Sequence, residues 1–242
     1  MHATLFRPPG PGPFPLAVVN HGSDEDIHAR IAQSLPSFPA LTAWLVARGY
    51  AVLVPQRPGH GVTGGPYLEA EGSCAAPDYA KAGHAAAASI ADAVDFMRGQ
   101  SFVRPRGIVV IGNSTGGWGA LALAASPPAG VAAIVSFAGG RGGRNGGRPN
   151  DNCAPERLVA AAGTFGADEK LPTLWLYARN DSWFPPDLSA RLAAAFTAAG
   201  GRAEYHLLPP IPGDGHALIN TPGDTAGWSP LLAAFLKRTA GR

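Results

Sequence analysis

Ile108-Val-Val-Ile-Gly-Asn-Ser-Thr-Gly-Gly-Trp118 passes from four branched aliphatics to a run of small residues with no transition between them. The aliphatic part predicts a strand that is apolar on both faces, which suits the buried centre of a parallel sheet better than a half-exposed edge. Gly112, Asn113, Ser114, Thr115 and Gly116 then fit G-x-S-x-G. In that pattern a strained strand-to-helix turn lifts a serine hydroxyl clear of the backbone. Glycine at both ends has a steric reason, because so tight a turn brings neighbouring backbone where a Cβ would stand.

A glycine-rich turn between strand and helix also suits phosphate binding, so its surroundings must decide. A dinucleotide fingerprint needs G-x-G-x-x-G and an acidic residue about 20 positions on, at the end of the next strand. Here the glycines fall at 112, 116, 117 and 119, and the next strand, Val131 to Phe137, runs into Ala-Gly without a carboxylate. The lysine of a P-loop is missing as well.

The chain has 242 residues, enough for one α/β domain with a sizeable core, and no repeat or linker divides it. A formal charge of +2 with 15% charged residues supplies no basic field for nucleic acid. No apolar run approaches the ~18 residues of a membrane span, and Met1-His-Ala-Thr4 lacks the basic and apolar regions of a signal peptide, so a soluble chain is expected.

In order, Ala3 to Phe6 predicts a short edge strand, closed by the Pro- and Gly-rich run from Pro8 to Pro15. Leu16 to Asn20 predicts a buried strand ending directly in His21-Gly22-Ser23. Leu41, Trp44, Leu45 and Arg48 give the stripe of a helix stopped by Gly49. A strand at Ala51 to Val54 follows, then a long loop from Pro55 to Asp78 containing Arg57-Pro-Gly-His60-Gly and Cys74. Helices are expected over Tyr79 to Met97, Thr115 to Ala125, Pro155 to Phe165 and around Leu188 to Ala199, and strands over Thr173 to Tyr177 and Glu204 to Leu208. Ser229 is expected to cap a last helix with Pro230 at its first position.

Strands alternating with helices imply parallel crossovers and an open sheet covered on both faces. Sites in such sheets form at the carboxyl ends of the strands. Ser114, the His21-Gly22-Ser23 turn, Asp181 after Tyr177 and His216 after Leu208 all fall on that edge. A serine hydroxyl needs an imidazole to take its proton and a carboxylate to orient the imidazole. Ser114, Asp181, His216 is the chain order expected for this fold. Asp214, two residues before His216, is the alternative orienting carboxylate, and Asp187 a poorer one in the first turn of a helix. His84 and His206 read as structural, and His60 mainly as turn geometry.

With Val-Val-Asn-His-Gly-Ser, Arg-Pro-Gly-His-Gly, Gly-Asn-Ser-Thr-Gly-Gly, Tyr-Ala-Arg-Asn-Asp and Gly-Asp-Gly-His in hand, the chain from Leu16 to Leu236 resembles the alpha/beta-hydrolase superfamily, in particular its dienelactone hydrolase-like branch. The resemblance implies a mostly parallel open sheet and ester cleavage through an acyl-enzyme on Ser114, without metal or organic cofactor. Lactone, thioester or peptide cleavage is the alternative within enzymes, and a ligand-binding pseudoenzyme outside them. Two departures stand out: the leading antiparallel strands are shortened, and no insertion between Phe137 and Pro155 is long enough for a lid.

An oxyanion hole needs two backbone N–H groups. Thr115 is expected to give one and Ser23 the other, with Gly22 as the fallback and His21 shaping the turn. Trp118, Trp183 and Phe184 are candidates for lining the substrate pocket, although large aromatics there are as often core. Arg141, Arg144 and Arg148 either favour a substrate carboxylate or form a solvated loop. Cys74 and Cys153 lie in two loops that leave the carboxyl edge, and a disulfide between them is expected, against two separate reduced thiols. A bridge implies an oxidising compartment, hence export on a signal outside this sequence, and reduced thiols a cytoplasmic protein. The sequence leaves open the oligomeric state and the identity of the ester.

Overall fold

The computed structural model describes residues 1–240. Seven strands form one sheet: β1 (Ala3–Phe6), β2 (Leu16–Asn20), β3 (Ala51–Pro55), β4 (Ile108–Asn113), β5 (Val131–Phe137), β6 (Thr173–Ala178) and β7 (Ala203–Leu208), in the order β1-β3-β2-β4-β5-β6-β7. Only β1 is antiparallel to its neighbour. The strand of the opening stretch, β4, therefore lies at the centre, and all six of its residues are buried.

Alternate residues of the strands feed two cores. Val18, Ile108, Val110, Ile134, Trp175 and Tyr177 face one side, packed under α3 (Tyr79–Arg98), α4 (Thr115–Leu123), α5 (Pro155–Ala167) and α6 (Pro186–Ala198). Val19, Val52, Val109, Ile111, Val135 and Leu176 face the other, under α2 (Pro39–Val46) and the last helix, Trp228–Thr239. Residues apolar on both faces thus find a cover on both faces, as the run Ile108 to Ile111 requires.

The last helix differs from expectation at its start. Ser229 does not cap it; the helix begins at Trp228 after Gly227, with no side-chain cap. Burial decides the boundary. Trp228 is fully buried between Trp44 and Phe137, and its Nε1–H donates to the Thr221 carbonyl at 2.8 Å, which draws that residue into the first turn. Two short helices went unread: α1 (Ile27–Ile31), capped by the Asp26 carboxylate, and α7 (Gly223–Ala226), which precedes the last helix, α8. Arg48 lies just beyond α2, where its guanidinium stacks 3.7 Å over the Trp44 ring.

Among the described residues no helical insertion stands over the strand ends between Phe137 and Pro155; that segment holds only a short turn at Asn145–Gly147. Instead a disulfide joins Cys74 to Cys153, closing 79 residues of chain. In the chain-entropy picture a loop of that length is worth on the order of 4 kcal/mol, which sets a ceiling. Alkylation of the denatured, unreduced protein is expected to leave both cysteines unmodified by intact mass, and Cys153→Ser to lower the unfolding free energy by up to that amount. Two alkylated thiols in protein taken from an oxidising compartment would refute the bridge.

Candidate active site

At the end of β4 the chain turns at Ser114 with φ 53° and ψ −122°, and α4 begins at the next residue. A non-glycine residue in that region costs on the order of 1–3 kcal/mol and persists only where its surroundings over-determine it. The surroundings here are backbone. A Cβ on Gly116 would stand 2.4 Å from the His21 carbonyl oxygen and 2.5 Å from that of Asn20, and one on Gly112 would stand 2.2 Å from the Gly116 carbonyl oxygen. Only glycine lets the first turn of α4 lie against the end of β2, and this contact brings the His21-Gly22-Ser23 turn beside Ser114.

His216 sits in a 3₁₀ turn, Gly215–Asn220, reached from β7 by a loop that the Asn180 side chain ties down through Ile211 and Gly213. Gly215 again permits close approach, since a Cβ there would lie 2.5 Å from the Asp181 nitrogen. The His216 Nδ1 is 3.2 Å from both carboxylate oxygens of Asp181. Asp181 is 2% exposed, and its Oδ1 also accepts the backbone N–H groups of Trp183 and Phe184. Asp214 faces elsewhere: it accepts the backbone N–H of His216 and both the N–H and the hydroxyl of Ser182, so it shapes the turn and does not touch the ring. Those N–H groups hold its carboxyl below the ordinary value, against its partial burial. Asp187 lies in the first turn of α6.

Ser114 and His216 line one cleft, together with Gly22, Ser23, Asn113 and Trp183. Among the described residues no hydrogen bond joins the Ser114 hydroxyl to the His216 ring. A second cavity of about 370 Å³ meets the first at Ser114 and is walled by Tyr67, Glu71, Arg141, Trp183, Phe184 and the disulfide. Trp183 stacks on the His216 ring, centroids 5.1 Å apart and planes 23° off parallel. Trp118 is not part of this wall. It is fully buried against Phe165, its Nε1–H bonded to the Tyr79 carbonyl at 2.8 Å, because that side of α4 faces the layer of α3 and α5.

Beneath the β2 turn lies a buried polar cluster. His21 Nδ1 lies 2.7 Å from the Gly22 carbonyl and so carries the proton, while Nε2 accepts the backbone N–H of Arg57 at 3.0 Å. Because C=O and N–H oppose each other across a trans peptide, tethering the Gly22 carbonyl to His21 turns the Ser23 N–H away from that ring. His60 Nδ1 lies 3.1 Å from the carbonyls of Arg57 and Pro58, which leaves Nε2 to accept the Ser23 hydroxyl at 2.7 Å. His60 therefore does more than shape its own turn. The Arg57 side chain is fully buried against Glu69, which also holds Arg141. Burial alone would push the Glu69 carboxyl up, but Arg57 and Arg141 bring it below its ordinary value.

The arginines of the Gly139 to Asn152 loop are all engaged: Arg141 with Glu69 and Glu71, Arg144 with Ser182 and Asp214, Arg148 with Asp151. Glu25 lines the same cavity, and burial with the nearby carboxylates of Glu71 and Asp24 raises its pKa. His84 packs edge-on to Phe165, and His206 pairs with Glu204, both away from the cleft. Sequence reading missed Glu69, Glu71, Tyr67 and the task of Arg57. The available signal was a charged residue two positions beyond a buried strand, in Arg57-Pro-Gly-His60.

A mostly parallel sheet with a strained serine turn at its centre, and histidine and carboxylate loops on the same edge, is the architecture of a hydrolase. The chain belongs to the alpha/beta hydrolase family, whose profile matches residues 18–241. Among solved structures it is similar to a protein described as a dienelactone hydrolase from Klebsiella pneumoniae (TM-score 0.61, 20% identity, covering 96% of this chain and 91% of that one). It is also similar to an esterase from Pyrococcus furiosus (TM-score 0.60, 15% identity, 93% and 83%). Dipeptidyl peptidase 4 from Porphyromonas gingivalis gives TM-score 0.66 at 14% identity, covering 98% of this chain but 33% of that one. At these identities the likeness is one of fold. No curated protein matches the chain.

Burial, and then the Arg57 charge, hold the His21 pKa well below its ordinary 6.5. The unfolded chain then takes up a proton there that the folded chain refuses, so this group's contribution to stability is complete above about pH 6.5 and declines as the pH falls below it. The His21 ring signals in NMR are expected to keep their neutral shifts well below the pH at which an ordinary imidazole takes up its proton. A midpoint at or above 6.5 would refute the buried, neutral ring.

Proposed function

We propose that the chain is a single-domain serine hydrolase that cleaves carboxylic esters through an acyl-enzyme, with Ser114 as nucleophile, His216 as general base and acid, and Asp181 as the carboxylate that orients His216. The observation that carries this reading is the buried Asp181 carboxylate against His216 Nδ1, in a histidine that lines the same cleft as Ser114 and whose Nε2 is left for the serine. Such a carboxylate holds the imidazole in the tautomer that can take a proton and stabilises the imidazolium that results.

In the proposed sequence, Ser114 Oγ attacks the ester carbonyl carbon as its proton passes to His216 Nε2. The carbonyl oxygen becomes an oxyanion that the backbone N–H groups of Ser23 and Thr115 receive. The tetrahedral species collapses, the carbon–alkoxide bond breaks, and the imidazolium gives its proton to the leaving alcohol. A water molecule deprotonated by His216 then attacks the acyl carbon, and Ser114 departs with that proton while the carboxylic acid is released. Every proton is accounted for by His216 and water. Trp183 and Phe184 supply an apolar wall for the acyl group or the alcohol, and the cleft admits a small-molecule ester without a lid having to open.

The disulfide supports placing the protein in an oxidising compartment, outside the cytoplasm. Within the fold, the dienelactone hydrolase-like motifs favour small esters and lactones. A panel of p-nitrophenyl esters of graded acyl length, with a lactone, a thioester and a peptide amide beside it, separates these chemistries.

A fluorophosphonate is expected to add one label, on the peptide containing Ser114, and Ser114→Ala to lose the label and nearly all turnover. Labelling elsewhere, or a fully active variant, would sink the assignment. Asp181→Asn is expected to lower kcat by roughly 10⁴, as when a triad carboxylate is neutralised elsewhere, and Asp214→Asn to cost far less. The reverse ranking would make Asp214 the orienting carboxylate.

A further inference from the structure

Arg57 is fully buried beside the cleft and touches both backbone turns assigned above to the oxyanion hole. Its Nη1 donates to the His21 carbonyl at 2.7 Å, its Nη2 reaches Thr115 Oγ1 at 3.3 Å, and its own backbone N–H donates to His21 Nε2. Glu69, 1% exposed, takes the remaining edge of the guanidinium through Nε at 2.5 Å and Nη2 at 3.2 Å. One rigid fork therefore spans the turn after β2 and the first residue of α4. A lysine in this place would offer a point charge and could not hold both turns and the carboxylate in one plane.

We propose that Arg57, fixed by Glu69, is a positioning residue that holds the Ser23 and Thr115 N–H groups in one register, so that both meet the oxyanion together. The two turns come from separate strands and meet otherwise through the close contacts of Gly116 with the Asn20 and His21 carbonyls and of Gly22 with Ser114. Oxyanion donors act only when aimed at the place where the charge develops, so a small rotation of either turn costs transition-state binding and leaves substrate binding nearly untouched. His60 extends the same frame by accepting the Ser23 hydroxyl, and Arg141 ties Glu69 to the wall of the cavity.

The inference rests on the acyl-enzyme reading, and its test separates the two. The full chain with its disulfide intact is assayed as wild type, Arg57→Lys and Thr115→Val, with rates normalised to sites titrated by a fluorophosphonate. Affinity for an alkyl trifluoromethyl ketone, whose adduct with serine places an oxyanion in the hole, is measured alongside. Arg57→Lys is expected to lower kcat about 10²-fold, the scale of losing one oxyanion donor, with KM within about twofold and ketone affinity falling in the same proportion. Thr115→Val keeps the backbone N–H, removes only the hydroxyl that Arg57 reaches, and is expected to cost about tenfold in kcat, the scale of one hydrogen bond.

A purely structural arginine would lower the thermal midpoint and the number of titratable sites but leave kcat per site at the wild-type value. That result, or a loss confined to KM, overturns the inference. If Arg57→Lys does not fold, Thr115→Val decides alone, and unchanged kcat and ketone affinity in it overturn the proposal. A wild type that neither takes the label nor turns over esters overturns the hydrolase reading and this inference with it. An active wild type whose variants are unaffected overturns this inference alone.

Discussion

The contact between the first turn of α4 and the end of β2 constrains everything built on the carboxyl edge of the sheet. With a Cβ on Gly116 excluded by the carbonyls of Asn20 and His21, the two backbones meet directly, and Ser114 is held at positive φ by the space that remains. The strain is local and is offset by the burial of strands on both faces of the sheet, where β2 and β4 expose nothing. A second contact of the same kind, Gly215 against the Asp181 turn, fixes the loop that carries His216. Between them the two contacts set where serine, imidazole and carboxylate can stand before any side-chain hydrogen bond is formed.

Charge does the work that a lid or a thicker core would do elsewhere. Arg57, Glu69, Arg141 and Glu71 alternate in sign from below the β2 turn to the wall of the cavity. Buried ions are costly unless each is paired and hydrogen-bonded, and removing one member of such a chain leaves its partner uncompensated. The chain of pairs therefore stabilises the arrangement less than it specifies it: the long loop after β3 and the glycine-rich loop after β5 dock so that each of the four charges meets an opposite one. The disulfide joins the same two loops farther out, and Tyr79 anchors the second through the Cys153 carbonyl. Segments with almost no regular structure acquire a definite shape in this way.

What the sequence made legible was whatever is encoded by near neighbours. Ile108 to Ile111 announce a central strand, G-x-S-x-G announces the elbow, and Gly-Asp-Gly-His marks a histidine turn because glycine and aspartate shape it within three residues. Trp118 was open to misreading because position on a helix after the elbow does not tell which side of that helix faces the cleft; the answer depends on α3 and α5, far away in sequence. Ser229 failed as a cap because the burial of Trp228 against Trp44 and Phe137 outweighs one capping hydrogen bond. The pairing of Arg57 and Arg141 with Glu69 was silent for the same reason, since Arg141 lies on a separate loop.

The fate of the loop arginines bears on the substrate. Arg141, Arg144 and Arg148, interleaved with glycines on the active edge, suggest a cradle for a carboxylate when read in one dimension. In three dimensions Arg141 is 2% exposed and shared between Glu69 and Glu71, and the other two are bonded to Ser182, Asp214 and Asp151. An anionic substrate would have to displace a buried glutamate from Arg141, at the cost of leaving that glutamate unpaired. Asp24, Glu25 and Glu71 line the same cavity, three carboxylates against Arg30 and the already paired Arg141, and oppose it further. Trp183 and Phe184 line that cavity too, flat, apolar and packed against the His216 ring. If the chain acts as proposed, the balance of these surfaces favours an acyl or alcohol group without negative charge, held against Trp183 and Phe184.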